Sequence, residues 1–345
     1  MYFASDNAGP VHPNVMQAMI DANTGYAPAY GNDALMDQVR DQLRMIFEAP
    51  DASVHLVING TSANVLTLAT LCQPFETIFC TSLAHIQMDE CGAPEFYTGG
   101  AKLTLIPDVD GKMTSAALRK ALDSEGNRFP HGPERGPVSI TQVTETGTCY
   151  SLADIKAISD IAHAHNLPVH LDGARFANAL DHLGCSAADM TWKSGVDAVC
   201  FGGTKNGLMG VEAVVFFDPD KGREFELRRK RGGHLLSKHR YLSAQMQAYL
   251  TDDLWLSLAK QSNQNADYLA QGLIAGGATL AYPVEGNLMF ASLPRATHQR
   301  LIAAGAQYHP DADIASGDPD TLVQARFVCD WSIAKSDIDQ FLALL

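Results

Sequence analysis

The sequence predicts an α/β protein with a large domain, built on a mainly parallel sheet sandwiched by helices, and a small C-terminal α+β domain. Between residues 54 and 217, short apolar runs typical of buried strands alternate with longer stretches of helical periodicity. From about residue 277, shorter strands and helices alternate again. A chain of 345 residues is long enough for two domains. We therefore expect an N-terminal segment 1–25 that packs with the small domain, a large domain 26–240 and a small domain 241–345.

The same patterns predict the individual elements in order. Strands are expected at 54–58, 77–80, 102–106, 138–142, 167–171, 196–201, 210–217, 279–282, 288–291 and 325–331. Helices are expected at 13–23, 35–46, 63–72, 114–124, 151–162, within 244–275, at 296–304 and at the C-terminus. The helix after residue 151 has the clearest start, because Ser151 and Asp154 have the spacing of a capping box.

Composition and charge exclude several classes of function. The content of 46% hydrophobic and 19% charged residues is ordinary for a globular protein, and the net charge of −14 argues against nucleic acid or an anionic membrane as partner. The first residues have neither the basic region nor the apolar core of a signal peptide, and no apolar run approaches the roughly 18 residues of a membrane helix. Seven scattered cysteines without a Cys-x-x-Cys pair indicate a reduced, cytoplasmic chain.

Two polar motifs follow neighbouring predicted strands. They are His170-Leu-Asp-Gly-Ala-Arg175 and Phe201-Gly-Gly-Thr-Lys-Asn206. Ligands collect at the carboxyl ends of strands in such proteins, so Asp172 and Lys205 should face one crevice. Alone, the aspartate would be read as a turn residue and the lysine as a solvated charge. Together they are the pair that a pyridoxal 5′-phosphate (PLP) enzyme needs, a lysine for a Schiff base and a carboxylate that keeps the pyridine nitrogen protonated.

A third motif predicts an anion site. The turn Asn59-Gly-Thr-Ser62 leads from a strand into a helix, where free backbone N–H groups, hydroxyls and the helix dipole favour a phosphate. The lysine and spacing of a nucleotide-binding P-loop are missing. An ordinary helix cap is the simpler interpretation of this turn alone. In combination with Asp172 and Lys205, the turn is instead expected to bind the cofactor phosphate through Gly60, Thr61 and Ser62.

These motifs, with the opening Phe3-Ala-Ser-Asp-Asn7, resemble the low-specificity L-threonine aldolases, which belong to the aspartate-aminotransferase-like fold type I class of PLP enzymes. The resemblance runs over nearly the whole chain. It implies a seven-stranded sheet, a homotetramer formed as a dimer of dimers with shared active sites, and cleavage of a β-hydroxy amino acid. A histidine pair at 163 and 165 lies on different sides of a helix and is not expected to bind a metal.

The resemblance also assigns roles around the cofactor ring. His85 would stack on the pyridine ring, with Glu90 either orienting it or capping a helix. His131, in a loop rich in Gly and Pro, would reach the substrate hydroxyl. Both histidines are candidate bases, because imidazole titrates near working pH, and the sequence does not choose between them. Thr144 would contact the ring oxygen.

Further residues are expected to bind the substrate carboxylate. Arg175 would help to bind it or the cofactor. Arg326 lies within a predicted strand, where a charge is costly unless it is paired, and its guanidinium suits a carboxylate. By resemblance, Arg326 would grip the substrate carboxylate with Ser5 assisting.

Three residues are expected to act across a subunit interface. By resemblance, Tyr30 would approach the partner's cofactor. The basic run 223–240 would ordinarily be a solvated helix face, but the resemblance places phosphate-binding residues there, with Lys230 and Lys238 as the nearest matches.

The expected activity is PLP-dependent cleavage of L-threonine and L-allo-threonine to glycine and acetaldehyde. The alternatives are an aldolase for phenylserine or 3-hydroxyaspartate and, more distantly, a β-eliminating lyase, because fold type I supports many reactions. A catalytically silent PLP-binding subunit is the non-enzymatic alternative. The joint presence of Asp172, Arg175, Lys205 and Arg326 argues against it.

Overall fold

A computed structural model describes residues 1–345. The strands of the first two thirds are β1 Ser53–Val57, β2 Glu76–Thr81, β3 Lys102–Ile106, β4 Asp108–Val109, β5 Lys112–Met113, β6 Glu134–Thr141, β7 Val169–Gly173, β8 Ala198–Phe201 and β9 Glu212–Phe216. Those of the last third are β10 Thr279–Leu280, β11 Leu288–Pro294, β12 His309–Pro310 and β13 Leu322–Val328.

Fourteen α-helices connect and cover these strands. They are α1 Pro13–Asp21, α2 Ala34–Ile46, α3 Gly60–Leu71, α4 His85–Met88, α5 Ala93–Thr98, α6 Ser115–Ser124, α7 Leu152–Ala164, α8 Phe176–Leu183, α9 Ala187–Met190, α10 Lys221–Arg231, α11 Arg240–Leu250, α12 Leu254–Ala275, α13 Arg295–Ala303 and α14 Lys335–Leu342. The capping box of Ser151 and Asp154 is present at α7. No helix is both long and apolar enough to cross a membrane.

The large sheet has seven strands in the order β1-β9-β8-β7-β6-β2-β3, which confirms the predicted architecture. Every strand runs parallel except β9, which is antiparallel to both of its neighbours. The carboxyl ends of the other strands therefore meet at one edge. In β7, β8 and β9 every residue is buried, as expected for a sheet that is covered on both faces.

Alternate residues of the central strands build two separate cores. Val199 and Phe201 of β8 belong to the main core, with side chains of α2, α7, α8 and α11. Ala198 and Cys200 belong to a smaller core against α3 and α10. Because successive strand residues point to opposite faces, this division shows that helices cover both sides of the sheet.

A second sheet lies in the last third of the chain. It is antiparallel, with the order β10-β11-β13-β12, and packs on α12, α13 and α14 around its own apolar cluster. Phe3 is fully buried in that cluster, and the N–H of Val328 donates to the Phe3 carbonyl at 2.8 Å. Side chains from Leu242 to Ala259 belong to the main core instead. The division at residues 25 and 240 stays a prediction.

Candidate functional site

A cavity of about 230 Å³ lies at the carboxyl edge of the large sheet. Its wall is formed by Asn7 and Asn64 and by residues at strand ends, namely Asn59, Gly60 and Thr61 after β1, His85 after β2, Thr141, Val143 and Glu145 at the end of β6, Asp172, Ala174 and Arg175 at β7, Thr204 and Lys205 after β8, and Glu212 at the start of β9. A larger open groove of about 790 Å³ between α5 and α10 contains none of the predicted site residues.

Asp172 and Lys205 both face this cavity, as the strand pattern predicts. Asp172 is the fourth residue of β7, and its carboxylate accepts hydrogen bonds from the amide of Asn64 at 2.8 Å and from the Ala174 N–H at 3.0 Å. Lys205 lies on the 3-10 turn Thr204–Asn206. Burial, and then repulsion from the nearby Arg175, lower the pKa of the Lys205 amine, which favours the neutral, nucleophilic form.

The N-terminus of α3 has the properties of an anion site. Asn59 caps the helix by accepting the Ser62 N–H at 2.8 Å, and the Ser62 hydroxyl donates back to the Asn59 carbonyl at 2.8 Å. Ser62 therefore turns inwards, whereas Gly60 and Thr61 line the cavity with N–H groups that have no partner inside the helix. The Thr204 hydroxyl lies on the same wall, buried beside the Glu212 carboxyl group.

His85 is held by a buried carboxylate. Its Nδ1 lies 2.8 Å from Oε1 of Glu90, whose side chain is fully buried. The Asn64 amide donates to Glu90 at 3.0 Å as well as to Asp172. The hydrogen bond with Glu90 raises the pKa of His85, and burial raises the pKa of Glu90. Of the two roles considered for Glu90, the contact with His85 is the one present, because Gly92 occupies the cap position of α5.

Asp6 lies behind the cavity wall and binds the wall residue Arg175, a contact that the sequence did not predict. Its buried carboxylate accepts two hydrogen bonds from Arg175, Nε to Oδ2 at 2.7 Å and Nη2 to Oδ1 at 3.0 Å. The Asn287 amide, just before β11, donates to Oδ2 at 3.0 Å. Burial alone would raise the pKa of Asp6, but Arg175 and then Lys205 outweigh it and hold that pKa below its usual value.

Arg326 lies in the middle of β13, as expected, but does not form part of the cavity wall. Its Nη2 donates to the Ala4 carbonyl at 3.3 Å, and its Nε is buried without a partner. Burial, and then repulsion from Arg175, lower the pKa of Arg326. The Ser5 hydroxyl accepts the Asn7 N–H at 3.2 Å.

Thr144 and His131, like Arg326, are not brought to the cavity wall. Thr144 is fully buried, and its hydroxyl is paired with those of Thr146 at 3.0 Å and Thr148 at 2.8 Å. His131 is exposed in the loop that precedes β6. Because β6 runs from that loop towards the cavity, His131 lies at the opposite edge of the sheet. Within one chain, the expected contact of His131 with the substrate is therefore not made.

Tyr30, Lys230 and Lys238 share a surface outside the cavity. The Lys230 ammonium lies 4.7 Å from the centre of the Tyr30 ring, and the Tyr30 N–H donates to the Ser237 carbonyl at 3.1 Å. Both lysines are exposed. None of the three reaches the cavity of its own chain.

Two buried carboxyl groups of the wall were missed from sequence. Burial raises the pKa of Glu145 and of Glu212 to about 7 in each case. Glu212 accepts the Gly203 N–H at 2.7 Å, next to Lys205. The signal for Glu212 was a charge inside an apolar strand, which is costly without a partner. Glu145 had no signal beyond its place in the loop that carries Thr144.

Known proteins resemble the chain over its length. The family model described as beta-eliminating lyase matches residues 2–295. A low specificity L-threonine aldolase of Pseudomonas aeruginosa is 42% identical over 95% of this chain and 92% of its own length. A threonine aldolase structure from Leishmania major superposes with a TM-score of 0.92 at 28% identity and covers 99% of this chain and 98% of that one. A PLP-bound serine palmitoyltransferase of S. paucimobilis, 17% identical with a TM-score of 0.70 over 100% of this chain and 86% of that one, shares the fold.

Proposed function

The chain belongs to the beta-eliminating lyase family and, within it, to the low-specificity L-threonine aldolases, and we propose that it cleaves L-threonine and L-allo-threonine to glycine and acetaldehyde. The observation that carries this proposal is the shared cavity of Asp172 and Lys205, with the N-terminus of α3 at its other end. An acid, an amine and an anion site in one cavity are the three groups that a PLP aldolase requires.

The cavity residues fit PLP in chemistry as well as in position. The free N–H groups of Gly60 and Thr61 and the Thr204 hydroxyl suit the phosphate. Asp172, oriented by Asn64, suits the pyridine nitrogen, and Lys205 suits the aldehyde. When bound, PLP accepts the electrons of the bond that breaks. The family and the fold likewise imply this cofactor.

The substrate carboxylate has a basic site beside Lys205. Arg175 is locked by Asp6 through Nε and Nη2, which leaves its Nη1 free to donate. Arg326 has a buried Nε without a partner. Together with Ser5, these two arginines hold the carboxylate and turn the scissile Cα–Cβ bond into the orientation required for cleavage.

His85 is the base that the geometry supports. Glu90 accepts a hydrogen bond from Nδ1, so the neutral ring carries its proton there and presents Nε2 as the proton acceptor. Nε2 would take the β-hydroxyl proton of the substrate. His131 cannot compete from the opposite edge of the sheet within one chain.

The active enzyme is inferred to be a homotetramer, a dimer of dimers, and to reside in the cytoplasm. Tyr30 and Lys230 contact each other on a surface that their own cavity does not use, with Lys238 nearby, which supports delivery of these residues to a partner's cavity. All seven cysteines are free, as expected for a reducing compartment. A monomeric variant that kept full activity would contradict the shared active site.

The first test is aldehyde release by purified, PLP-loaded protein from L-threonine, L-allo-threonine, phenylserine and 3-hydroxyaspartate. Lys205→Ala should abolish it, with a loss on the order of 10⁴-fold or more. Lys156→Ala, at an exposed lysine paired with Asp160, is the matched control and should leave the rate unchanged. Release from both threonine diastereomers supports the proposal.

The other outcomes are equally informative. Release only from phenylserine or 3-hydroxyaspartate would keep the mechanism and change the substrate. Release of ammonia and a keto acid without an aldehyde would instead favour a β-eliminating lyase, which the description of the matching family makes the second candidate.

A further inference from the structure

We propose that Glu145 is a further cofactor-binding residue, which carries a proton on its free carboxyl oxygen and donates it in a hydrogen bond to the 3-oxygen of the pyridoxal ring. This inference rests on the proposed function, because it requires PLP in the cavity. It replaces Thr144, expected from sequence at this position, with the next residue of the same loop.

The two oxygens of Glu145 have different surroundings. Oε1 accepts the backbone N–H of His85 at 2.8 Å and the Thr141 hydroxyl at 2.9 Å, which holds the carboxyl group in place. Oε2 is buried, has no hydrogen-bond partner, and belongs to a group that lines the cavity. Buried polar atoms without partners are uncommon, and one fixed at a cavity wall points to a missing ligand atom.

The strand order places the 3-oxygen of the ring on this side. The phosphate binds after β1 and the ring nitrogen binds at Asp172 on β7, while β6 lies beyond β7, away from β1. On the pyridoxal ring, the carbon that carries the phosphate arm and the carbon that carries the 3-oxygen lie on opposite sides of the line from the nitrogen to the aldehyde carbon. With the phosphate towards β1, the 3-oxygen therefore faces β6, where Thr141 and Glu145 lie.

The charges around Glu145 favour its protonated form. Asp172 faces it from β7, His85 from α4, Cys80 from β2, and Tyr150 lies beyond the end of β6. Burial, and then repulsion from Asp172, raise the pKa of Glu145 to about 7. An anionic 3-oxygen at Oε2 would raise it further, so the complex holds Glu145 as a neutral donor.

Thr144 cannot easily make the same contact. Its hydroxyl is already paired with Thr146 and Thr148, both of which also donate to the carbonyl of Asp110. Turning it towards the cavity would break this buried cluster, which costs free energy. Glu145 needs no rearrangement.

The test compares two ligands that differ only at the 3-position. Dissociation constants of the apoenzyme are measured for pyridoxine 5′-phosphate and its 3-deoxy analogue, neither of which has an aldehyde for Lys205. In the wild type, the ratio of the dissociation constant of the 3-deoxy analogue to that of pyridoxine 5′-phosphate should be about ten, because the 3-hydroxyl contact is lost. In Glu145→Ala this ratio should fall to about twofold or less, whereas in the matched control Thr144→Val it should stay near tenfold.

Glu145→Gln provides a second measurement that does not depend on the alanine variant folding. It keeps an acceptor for His85 and a donor for the ring but cannot titrate. As the pH rises through the pKa of Glu145, the wild type loses its donor and the ratio should fall. In Glu145→Gln the ratio should stay constant across the pH range in which Glu145 of the wild type titrates.

An unchanged ratio in Glu145→Ala, or the same pH dependence in wild type and Glu145→Gln, would overturn the proposal and leave Glu145 as a support for the His85 backbone. In that case tight binding of pyridoxine 5′-phosphate would still agree with the proposed function. Failure of the wild type to bind either ligand or PLP would overturn both.

Discussion

The two edges of the large sheet contrast sharply, and strand β6 connects them. Just before β6, His131 stands in an exposed loop and makes no side-chain hydrogen bond or ion pair. Just after it, Glu145 is anchored to His85 and Thr141 on the cavity wall. Both residues have ionisable side chains and lie in the polar loops that flank this strand. The direction of the chain through a parallel sheet, more than residue type, therefore decides which loop residue reaches the site.

The contrast extends to the energetics of the charged groups. At the carboxyl edge, the hydrogen bond with Glu90 raises the pKa of His85 against the opposing effect of burial, and burial with repulsion from Arg175 lowers the pKa of Lys205. Such perturbed groups in a cleft are what catalysis requires. The largest mutational effects on activity should therefore come from this edge.

Asp172→Asn should have the largest effect among the variants that keep Lys205. Asparagine can still accept the hydrogen bond from Asn64, but it supplies no negative charge for the ring nitrogen. We expect kcat for aldehyde release to fall on the order of 10²–10³-fold. Steady-state kinetics with the cofactor content measured by absorbance would show this. A kcat within a few-fold of wild type at full cofactor loading would contradict the role.

Asp6→Asn should raise KM more than it lowers kcat, because Arg175 loses its ionic partner while Lys205 and His85 remain. We expect KM to rise about tenfold and the free energy of unfolding to fall by about 3 kcal/mol, as for other broken buried pairs. Substrate titration and urea unfolding measure the two effects. Asp37→Asn, which breaks the exposed pair with Arg40, is the control and should cost about 0.5 kcal/mol or less.

Glu90→Gln should move the pH dependence of kcat/KM. The hydrogen bond with Glu90 raises the pKa of His85, and the base form is the neutral ring. Activity therefore rises as the pH passes upward through that pKa, and removing the carboxylate should lower the pKa and shift the acid limb to lower pH. A pH profile of both proteins tests the direction. A shift to higher pH, or none, would exclude His85 as the titrating base.

His131→Ala should have the smallest effect, because the side chain is exposed at the amino edge. We expect kcat and KM within about twofold of wild type, and a free energy of unfolding within about 0.5 kcal/mol of it. The assay used for Asp172→Asn measures kcat and KM, and urea unfolding measures the free energy of unfolding. A tenfold loss of kcat in a normally folded protein would contradict the contrast between the two edges, and would mean that the partner subunit brings this loop to the cavity.

Much of the fold was predictable because it depends on local patterns. Apolar runs of strand length alternate with helical periodicity, and this alternation specified the mainly parallel sheet and the shared edge of Asp172 and Lys205. The antiparallel direction of β9 had no such signal, since a buried strand reads the same in either direction.

The architecture was predictable from the sequence, as were the sheet edge that carries the cavity and the presence there of Asp172, Lys205, Gly60 and Thr61. These features depend on where strands end and where a helix begins, which local sequence patterns indicate. The tertiary structure was needed to show that Asp6 locks Arg175 from 169 residues away, that Glu90 holds His85, and that Glu145 lines the cavity whereas Thr144 does not. Those contacts depend on side-chain direction and packing between distant segments, which the spacing of residues along the chain does not encode.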